Sequence, residues 1–247
     1  MKTNGLDTFA AEELFDQDGG IFMGARRDPS GCQVGVFGVP YDGTTSFRPG
    51  TRFGPAAIRE VSPGLETYCP QLDRDLDTLD YADLGTLNIA FGAPEPVVEA
   101  VKRATSEILA LGLKPLMLGG EHSISSGAVA AVAKDHPDLV LVQLDAHADL
   151  RQSWLGASHS HACAMRRCLD VLPSGDLLQI AIRSGTAEEF SELHRSGRLI
   201  PLHQMSQKLS DLRGRPIYLT VDLDWFDPAV MPGTGTPEPG GFTWADF

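Results

Sequence analysis

The sequence predicts a single α/β domain, a three-layer fold in which a central, mainly parallel sheet is flanked by helices. Three observations support this prediction. Short apolar runs alternate with amphipathic helical segments, as in sheets covered by helices on both faces. The chain has 247 residues, 42% of them hydrophobic, which suffices for one large core. No internal repeat or low-complexity linker divides it, so we expect one domain over residues 31–247 after an acidic, irregular arm over residues 1–30.

The first half of the domain is predicted to contain three strands and three helices. The first strand, CQVGVFGVP, is an apolar run that Gly and Pro terminate, and a long loop follows it. Pro55 opens the first helix, where a missing backbone N–H costs little. The second helix repeats Val97, Val101 and Ile108 at helical spacing. The strands are 32–40, 78–85 and 115–120, and the helices are 55–62, 94–112 and 123–136.

The second half is predicted to contain three more strands. They are 139–144, 177–182 and 217–223, and a helix over 187–197 separates the last two. Each strand is an almost continuous apolar run, which is typical of parallel strands that are buried on both faces. We therefore expect the polar residues that follow these strands to meet at one edge of the sheet.

Composition and charge exclude several classes of function. The formal net charge of −13 is opposite to that of a basic nucleic-acid-binding surface. No apolar run is long enough to span a bilayer, and the polar N-terminus lacks a signal-peptide core. We therefore expect a cytoplasmic protein without nucleic-acid or membrane partners. The four cysteines have no paired-ligand spacing and are predicted to be reduced.

A candidate metal site begins at the segment DAHAD, which follows the predicted strand 139–144. Residues two apart in extended backbone point to the same face. Asp145, His147 and Asp149 therefore face one pocket if the extended geometry continues that far. Each of these residues alone is more typical of a turn, cap or loop, but an Asp-His-Asp series after a buried strand favours a metal.

Two further segments add ligands to the same edge. Asp222 and Asp224 end the strand 217–223, and by the same period they share a face. Two carboxylates so close together repel each other and are costly to bury, a penalty that a bound cation removes. His122, in GGEHS, follows the strand 115–120.

This set of ligands predicts the kind of metal. It contains two imidazoles and four carboxylates but no thiolate, and Mn(II) accepts both of these ligand types. Six ligands exceed what one ion in an open catalytic site normally takes. Two Mn(II) ions bridged by carboxylates fit the set better.

Five motifs in order along the chain resemble the ureohydrolase (arginase/agmatinase) family, and agmatinases most. The match begins near residue 34 and runs to the C-terminus. The motifs are GVPYDGTTSFRPGTRFGPAAIRE, LGGEHS, LDAHADL, SHACAMRR and TVDLDWFDPAVMPGTGTPEPGGFTW. The resemblance implies an arginase-like α/β fold and a ureohydrolase catalytic domain with two Mn(II) ions.

The resemblance also implies how the metal ligands are shared. Asp145 and Asp222 bridge the two ions. The first ion takes, besides these, His122 and Asp149, and the second takes His147 and Asp224.

Roles in catalysis and substrate binding follow from the matched positions. Asp149 is placed to relay a proton to the leaving amine, and His161, in SHACAM, matches the family's proton-shuttling histidine. His159 competes with His161, and only the motif alignment favours the latter. Thr236, in GTGTP, matches a residue that lines the substrate pocket.

The implied reaction is hydrolysis of a guanidino C–N bond, with release of urea and a primary amine. We expect a small cationic substrate, agmatine, giving putrescine. The stretch LRQSWLGASHSH over residues 150–161 lacks the Asn- and Thr-rich loop with which arginases recognise the amino-acid carboxylate. Guanidinobutyrate, guanidine and arginine are alternative substrates. Family members form trimers or hexamers, so a homo-oligomer is expected.

One departure from the family concerns the C-terminus. After GGFTW the family carries a helix, a strand, a glutamate that contacts the guanidinium group and a closing helix, whereas this sequence stops at Phe247. From this apparent truncation we expect the six ligands to be retained and substrate binding and stability to be weakened.

Two rival functions remain open at this point. One is a truncated, non-catalytic metal-binding remnant. The other is a single-zinc amide hydrolase of the histone-deacetylase type, which uses an Asp-x-His pair and a distant Asp. This second rival leaves His122, Asp149 and Asp224 unexplained.

Overall fold

The computed structural model describes residues 13–247 and has the α/β fold, with mainly parallel strands and helices, that the sequence predicts. The strands among these residues are β1 (Phe15–Asp16), β2 (Val34–Gly38), β3 (Tyr68–Cys69), β4 (Arg74–Asp75), β5 (Tyr81–Leu87), β6 (Lys114–Leu118), β7 (Val140–Leu144), β8 (Leu177–Ile180), β9 (Leu199–Ile200) and β10 (Ile217–Val221). The α-helices are α1 (Gly54–Val61), α2 (Pro94–Ala110), α3 (Ser125–Asp135), α4 (Ala164–Val171), α5 (Ala187–Ser196) and α6 (Met205–Asp211).

The main strands form two four-stranded sheets within the described part of the chain. Their orders are β1-β5-β2-β6 and β10-β7-β8-β9, and every neighbouring pair except β1–β5 is parallel. The edge strands β6 and β10 line the same cavity, whose volume is about 930 Å³. The carboxyl ends of β6, β7 and β10 open into this cavity, so the residues that follow them are brought together.

Strand β7 shows why the sheets need helices on both faces. Val140 and Val142 pack into one core cluster, whereas Leu141 packs into another on the opposite face, and all three are fully buried. This alternation follows from the period of two in a strand. Among residues 13–247, no helix is long and apolar enough to cross a membrane.

The short elements were not predicted from the sequence. Strands β1 and β9 have two residues each, and helix α6 has seven. Phe15 of β1 is buried in the core, although it lies in the predicted arm. Residues 1–12 of that arm lie outside the described residues, and the domain boundary at residue 31 stays a prediction.

Candidate active site

The segment after β7 does not stay extended as the period-two argument required. The strand ends at Leu144, His147 forms an isolated bridge with Ser184, and Asp149 has a φ of 51°. The Asp145 carboxylate accepts the His147 N–H at 2.6 Å, which curls the segment. The three side chains still converge, but a turn brings them together rather than a strand face.

The second acidic segment is likewise a turn. Strand β10 ends at Val221, and Asp222 caps a short 3₁₀ helix by accepting the Asp224 N–H at 3.1 Å. The Asp224 Oδ1 accepts the backbone N–H of Ala146 at 3.1 Å. Strands β7 and β10 are neighbours in the second sheet, and this hydrogen bond holds their carboxyl ends together.

His122 reaches the site through the turn after β6. Gly120 has a φ of 62°, and a Cβ at this position would lie 2.6 Å from the Val39 carbonyl oxygen, so only glycine fits here. Glu121 then caps a 3₁₀ helix by accepting the Ser123 N–H at 2.8 Å. His122 opens that helix and is buried.

Five of the six predicted ligands form two groups that could each hold a metal ion. The first group is His122, Asp145 and Asp149, and the second is Asp145, His147 and Asp224. Within each group, one ligand atom from every residue lies within 4.8 Å of the others. Asp145 belongs to both groups, which is the arrangement of a bridging carboxylate.

Asp222 lies beside the first group without joining either of them. Its Oδ2 is 3.6 Å from the Nδ1 of His122. The predicted role of Asp222 as a second bridge therefore stays a prediction.

The surroundings of His122 fit a cation. Its Nδ1 is buried and has no hydrogen-bond partner, although carboxylate oxygens of Asp145 and Asp149 lie 3.0 and 3.1 Å away. Its other ring nitrogen, Nε2, is 3.0 Å from the Thr220 hydroxyl, which orients the ring. A buried polar atom without a partner is costly. A divalent metal between this nitrogen and the carboxylates would satisfy all of them.

Burial and mutual repulsion change the pKa values of the acidic groups. Burial raises the pKa of Asp149 to about 7, and Asp145 nearby adds to this effect. Burial, together with the Asp224 and Asp145 carboxylates, raises the pKa of Asp222 to about 8. Burial also raises the pKa of Asp224 to about 6. The metal-free site therefore holds protons near neutral pH, which metal ions must displace.

His147 is the counterpart of His122 in the second group. Burial alone would lower the pKa of His147, but the Asp145 and Asp224 carboxylates raise it to about 11. Its Nδ1 lies 3.0 Å from Asp224, and its Nε2 lies 3.7 Å from the Glu238 carboxylate. The sequence analysis did not single out Glu238. Its position in the segment GTGTPEPGG, which also contains Thr236, was the one sequence feature that could have indicated it.

Arg183 holds the Glu238 segment beside the site. Its guanidinium group donates to the backbone carbonyls of Asp224 at 2.6 Å, Glu238 at 2.9 Å and Pro239 at 3.2 Å. The Glu238 side chain accepts the Ser184 hydroxyl at 3.0 Å. This clamp connects the loop after β8 with both segments that follow β10.

The structure separates the two competing histidines. His161 lines the cavity, and its Nδ1 and Nε2 lie 3.2 Å and 3.3 Å from the hydroxyls of Thr44 and Ser46. Burial lowers the pKa of His161, which favours the neutral imidazole. His159 instead lies 3.5 Å from Glu95 and does not line this cavity.

Thr236 also lines the cavity, where its hydroxyl donates to Asp224 at 3.2 Å. It thus lies at the second ligand group. Its predicted contact with substrate stays a prediction. Thr44 and Glu121, which the sequence analysis passed over, lie behind His161.

Comparisons with known proteins agree with this geometry. The agmatinase of Bacillus anthracis is 41% identical over 235 residues, which cover 93% of this chain and 81% of the relative. The mitochondrial guanidino acid hydrolase of Homo sapiens is 37% identical over 235 residues, which cover 88% of this chain and 66% of the relative. The solved agmatine ureohydrolase of Thermoplasma volcanium superposes with a TM-score of 0.78 at 37% identity, covering 87% of this chain and 75% of that one.

The sequence model of the arginase family matches residues 32–247, a range that contains every residue of both ligand groups. The fold, the paired groups around Asp145 and the extent of these matches lead to one conclusion. The chain belongs to the arginase family.

Proposed function

We propose that the chain is a ureohydrolase that cleaves agmatine to putrescine and urea at a centre of two Mn(II) ions. The arginase family consists of hydrolases with two metal ions. It includes agmatinases, and that of Bacillus anthracis is 41% identical to this chain. The observation that carries the proposal is the sharing of Asp145 between two ligand groups beside one cavity. Six carboxylate and imidazole ligands without a thiolate suit manganese.

The ligand residues would hold the two ions, with Asp222 completing the set that the sequence predicts. Two such ions would supply Lewis acidity and would lower the pKa of a bound water. Asp149 lies within the first ligand group, where its carboxyl can pass a proton to the leaving amine. His161 lines the cavity and exchanges protons with solvent, while Thr236 contacts the substrate.

The choice of agmatine rests on charge and on the named relatives. A net charge of −13 produces a field that attracts cations, and agmatine carries two positive charges. The human relative is named for guanidino acids, which makes guanidinobutyrate the main competing substrate. A second, smaller cavity beside His161 is lined by Arg151. The Glu189 carboxylate lies 3.7 Å from the Arg151 guanidinium and offsets its charge. This smaller cavity therefore has little excess positive charge with which to bind the carboxylate of a guanidino acid.

Urea release tests this proposal directly. The purified chain, loaded with Mn(II), is incubated with agmatine, guanidinobutyrate, arginine and guanidine at equal concentrations. The expected result is the highest kcat/KM for agmatine, with manganese bound in a ratio of about two per subunit, as in two-metal sites. A higher kcat/KM for guanidinobutyrate than for agmatine would contradict the assignment of agmatine as the substrate. Zinc in a ratio of about one, with no urea formed, would replace the function by that of a single-metal hydrolase.

Assembly and location belong to the same proposal. We infer a homo-oligomer, a trimer or hexamer. The support is that Phe47 and Phe53 expose 65% and 62% of their surface on the long loop after β2, since aromatic residues are enriched at interfaces. Analytical ultracentrifugation of the purified chain measures the assembly. A cytoplasmic location and one catalytic domain over residues 31–247 complete the proposal.

A further inference from the structure

The Thr44 hydroxyl lies at the centre of a short hydrogen-bonded chain behind His161. Its Oγ1 is 2.6 Å from Glu121 Oε1 and 3.2 Å from His161 Nδ1. It also accepts the backbone N–H of His161 at 2.9 Å. Glu121 is 6% exposed, so water has little access to its carboxylate oxygens.

Glu121 acts in this network as an acceptor. Its Oε1 accepts the backbone N–H of Thr44 at 3.2 Å, and its Oε2 accepts that of Ser123 at 2.8 Å. Two backbone donors and one hydroxyl therefore point at its two oxygens. This is the environment of an acceptor-only carboxylate, so the Thr44 hydroxyl has to donate its proton to Glu121.

The direction of the remaining bond follows by counting protons. A threonine hydroxyl has one proton, which Thr44 gives to Glu121, and two lone pairs. One lone pair accepts the His161 backbone N–H. The other can bond to His161 Nδ1 only if that nitrogen carries a hydrogen. The neutral ring is therefore protonated on Nδ1, and its Nε2 carries the free lone pair.

We propose that Glu121 and Thr44 are positioning residues that hold His161 in the Nδ1–H tautomer, so that Nε2 is the atom that takes up protons in the cavity. Ser46 lies 3.3 Å from Nε2 at the open side of the ring and can donate to it. The role resembles that of an orienting carboxylate behind a general base, with a hydroxyl between the two. The kinetic part of this inference rests on the proposed function, whereas the tautomer itself does not.

The tautomer is measured by NMR on the metal-free chain, labelled with ¹⁵N in histidine. Two-bond proton–nitrogen correlations at pH 8 show which ring nitrogen carries the hydrogen, and the His161→Gln variant identifies the signals. The expected result is a protonated Nδ1 and an unprotonated Nε2 at His161. The opposite tautomer in the unmodified chain would overturn the proposal without any variant.

Variants then test the network. Thr44→Val removes the acceptor for Nδ1–H and should shift His161 toward the Nε2–H tautomer. Thr44→Ser keeps the hydroxyl and should restore the original tautomer. Glu121→Ala removes both acceptor oxygens, which frees the Thr44 hydroxyl to donate to Nδ1, and should shift the tautomer as Thr44→Val does. Thr105→Val is the matched control, because Thr105 is a buried threonine in α2 whose hydroxyl has no partner.

Kinetics distinguish positioning from general damage. For Thr44→Val we expect kcat to fall by about 10- to 100-fold, part of the range for general acid–base groups, with KM and manganese content unchanged. Thr44→Ser should recover most of that loss, and Thr105→Val should lose none. A tautomer and kcat that do not respond to Thr44→Val would refute the proposal. Absence of urea release from the unmodified chain would instead refute the proposed function, while the NMR result would still decide the tautomer.

Discussion

The two histidines that face the shared Asp145 are held in different ways. The His122 side chain is 5% exposed, and a neutral hydroxyl, that of Thr220, lies behind its Nε2. The His147 side chain is 24% exposed, and the Glu238 carboxylate lies behind its Nε2 at 3.7 Å. We call the buried position at His122, which has a neutral group beside Nε2, the closed position. We call the more exposed position at His147, which has a charged group beside Nε2, the open position.

This difference has consequences for the metals that we propose. Water reaches an open position more easily and competes with its ligands, so we expect the ion at the His147 position to dissociate first. A carboxylate behind an imidazole makes it a stronger ligand, and this partly offsets the exposure. The closed position has no such support, but its Nδ1 has no competing hydrogen bond to give up.

Loss of the shared carboxylate should affect both positions. For Asp145→Ala we expect both ions to be lost and urea release to fall by at least about 1,000-fold, because the remaining ligands no longer offset the repulsion between two cations. Asp222→Ala should retain more metal than Asp145→Ala, since Asp145 belongs to both groups whereas Asp222 belongs to neither. Metal analysis after desalting measures both variants, with the surface variant Asp170→Ala as control. Full metal content in Asp145→Ala would contradict the shared site.

Loss of each histidine should separate the positions. His122→Ala leaves the Asp149 carboxyl buried without the imidazole beside it, so we expect loss of the closed ion and a lower melting temperature of the apo chain. His147→Ala should remove the open ion and leave the closed one, with a smaller change in melting temperature. Metal content and thermal unfolding are measured on both variants. Equal effects on both quantities would mean that exposure does not distinguish the positions.

Metal affinity should rise with pH. In the metal-free chain the pKa values of Asp224, Asp149 and Asp222 are raised to about 6, 7 and 8, so each holds a proton below its value. Binding has to expel these protons, so lowering the pH from 8 to 6 should weaken Mn(II) binding by more than about tenfold. Calorimetry in buffers of different ionisation enthalpy counts the protons released. An affinity independent of pH over this interval would be inconsistent with the raised pKa values.

The groups behind the histidines should have the smallest effect. We expect Glu238→Gln to weaken the open ion by about 10-fold, at the lower end of the range for such outer groups, and to leave the closed ion unchanged. Thr220→Val should affect only the closed ion, and by less, because it removes a neutral partner. Chelator-induced release of each ion measures these changes. An effect of Glu238→Gln on the closed ion alone would reverse the assignment.

Much of the fold was predictable from the sequence because its signals are local. Apolar runs located the main strands, and the spacing of Val97, Val101 and Ile108 located helix α2. The short elements β1, β9 and α6 escaped prediction because two to seven residues carry too little periodicity. Pairing with neighbours, rather than local preference, makes them strands or helices.

The convergence of five predicted ligands was predictable from the sequence, because the ends of parallel strands lie at one edge of a sheet. The way in which they meet was not predictable, because it depends on the packing of the whole domain. The period-two argument placed Asp149 and Asp224 on strand faces, whereas both lie in turns whose shape depends on hydrogen bonds to distant backbone. The places of His161 at the cavity and of His159 beside Glu95, and the groups behind His122 and His147, depend on contacts between segments far apart in the chain. No local pattern encodes such contacts, since packing of the whole domain brings their partners together.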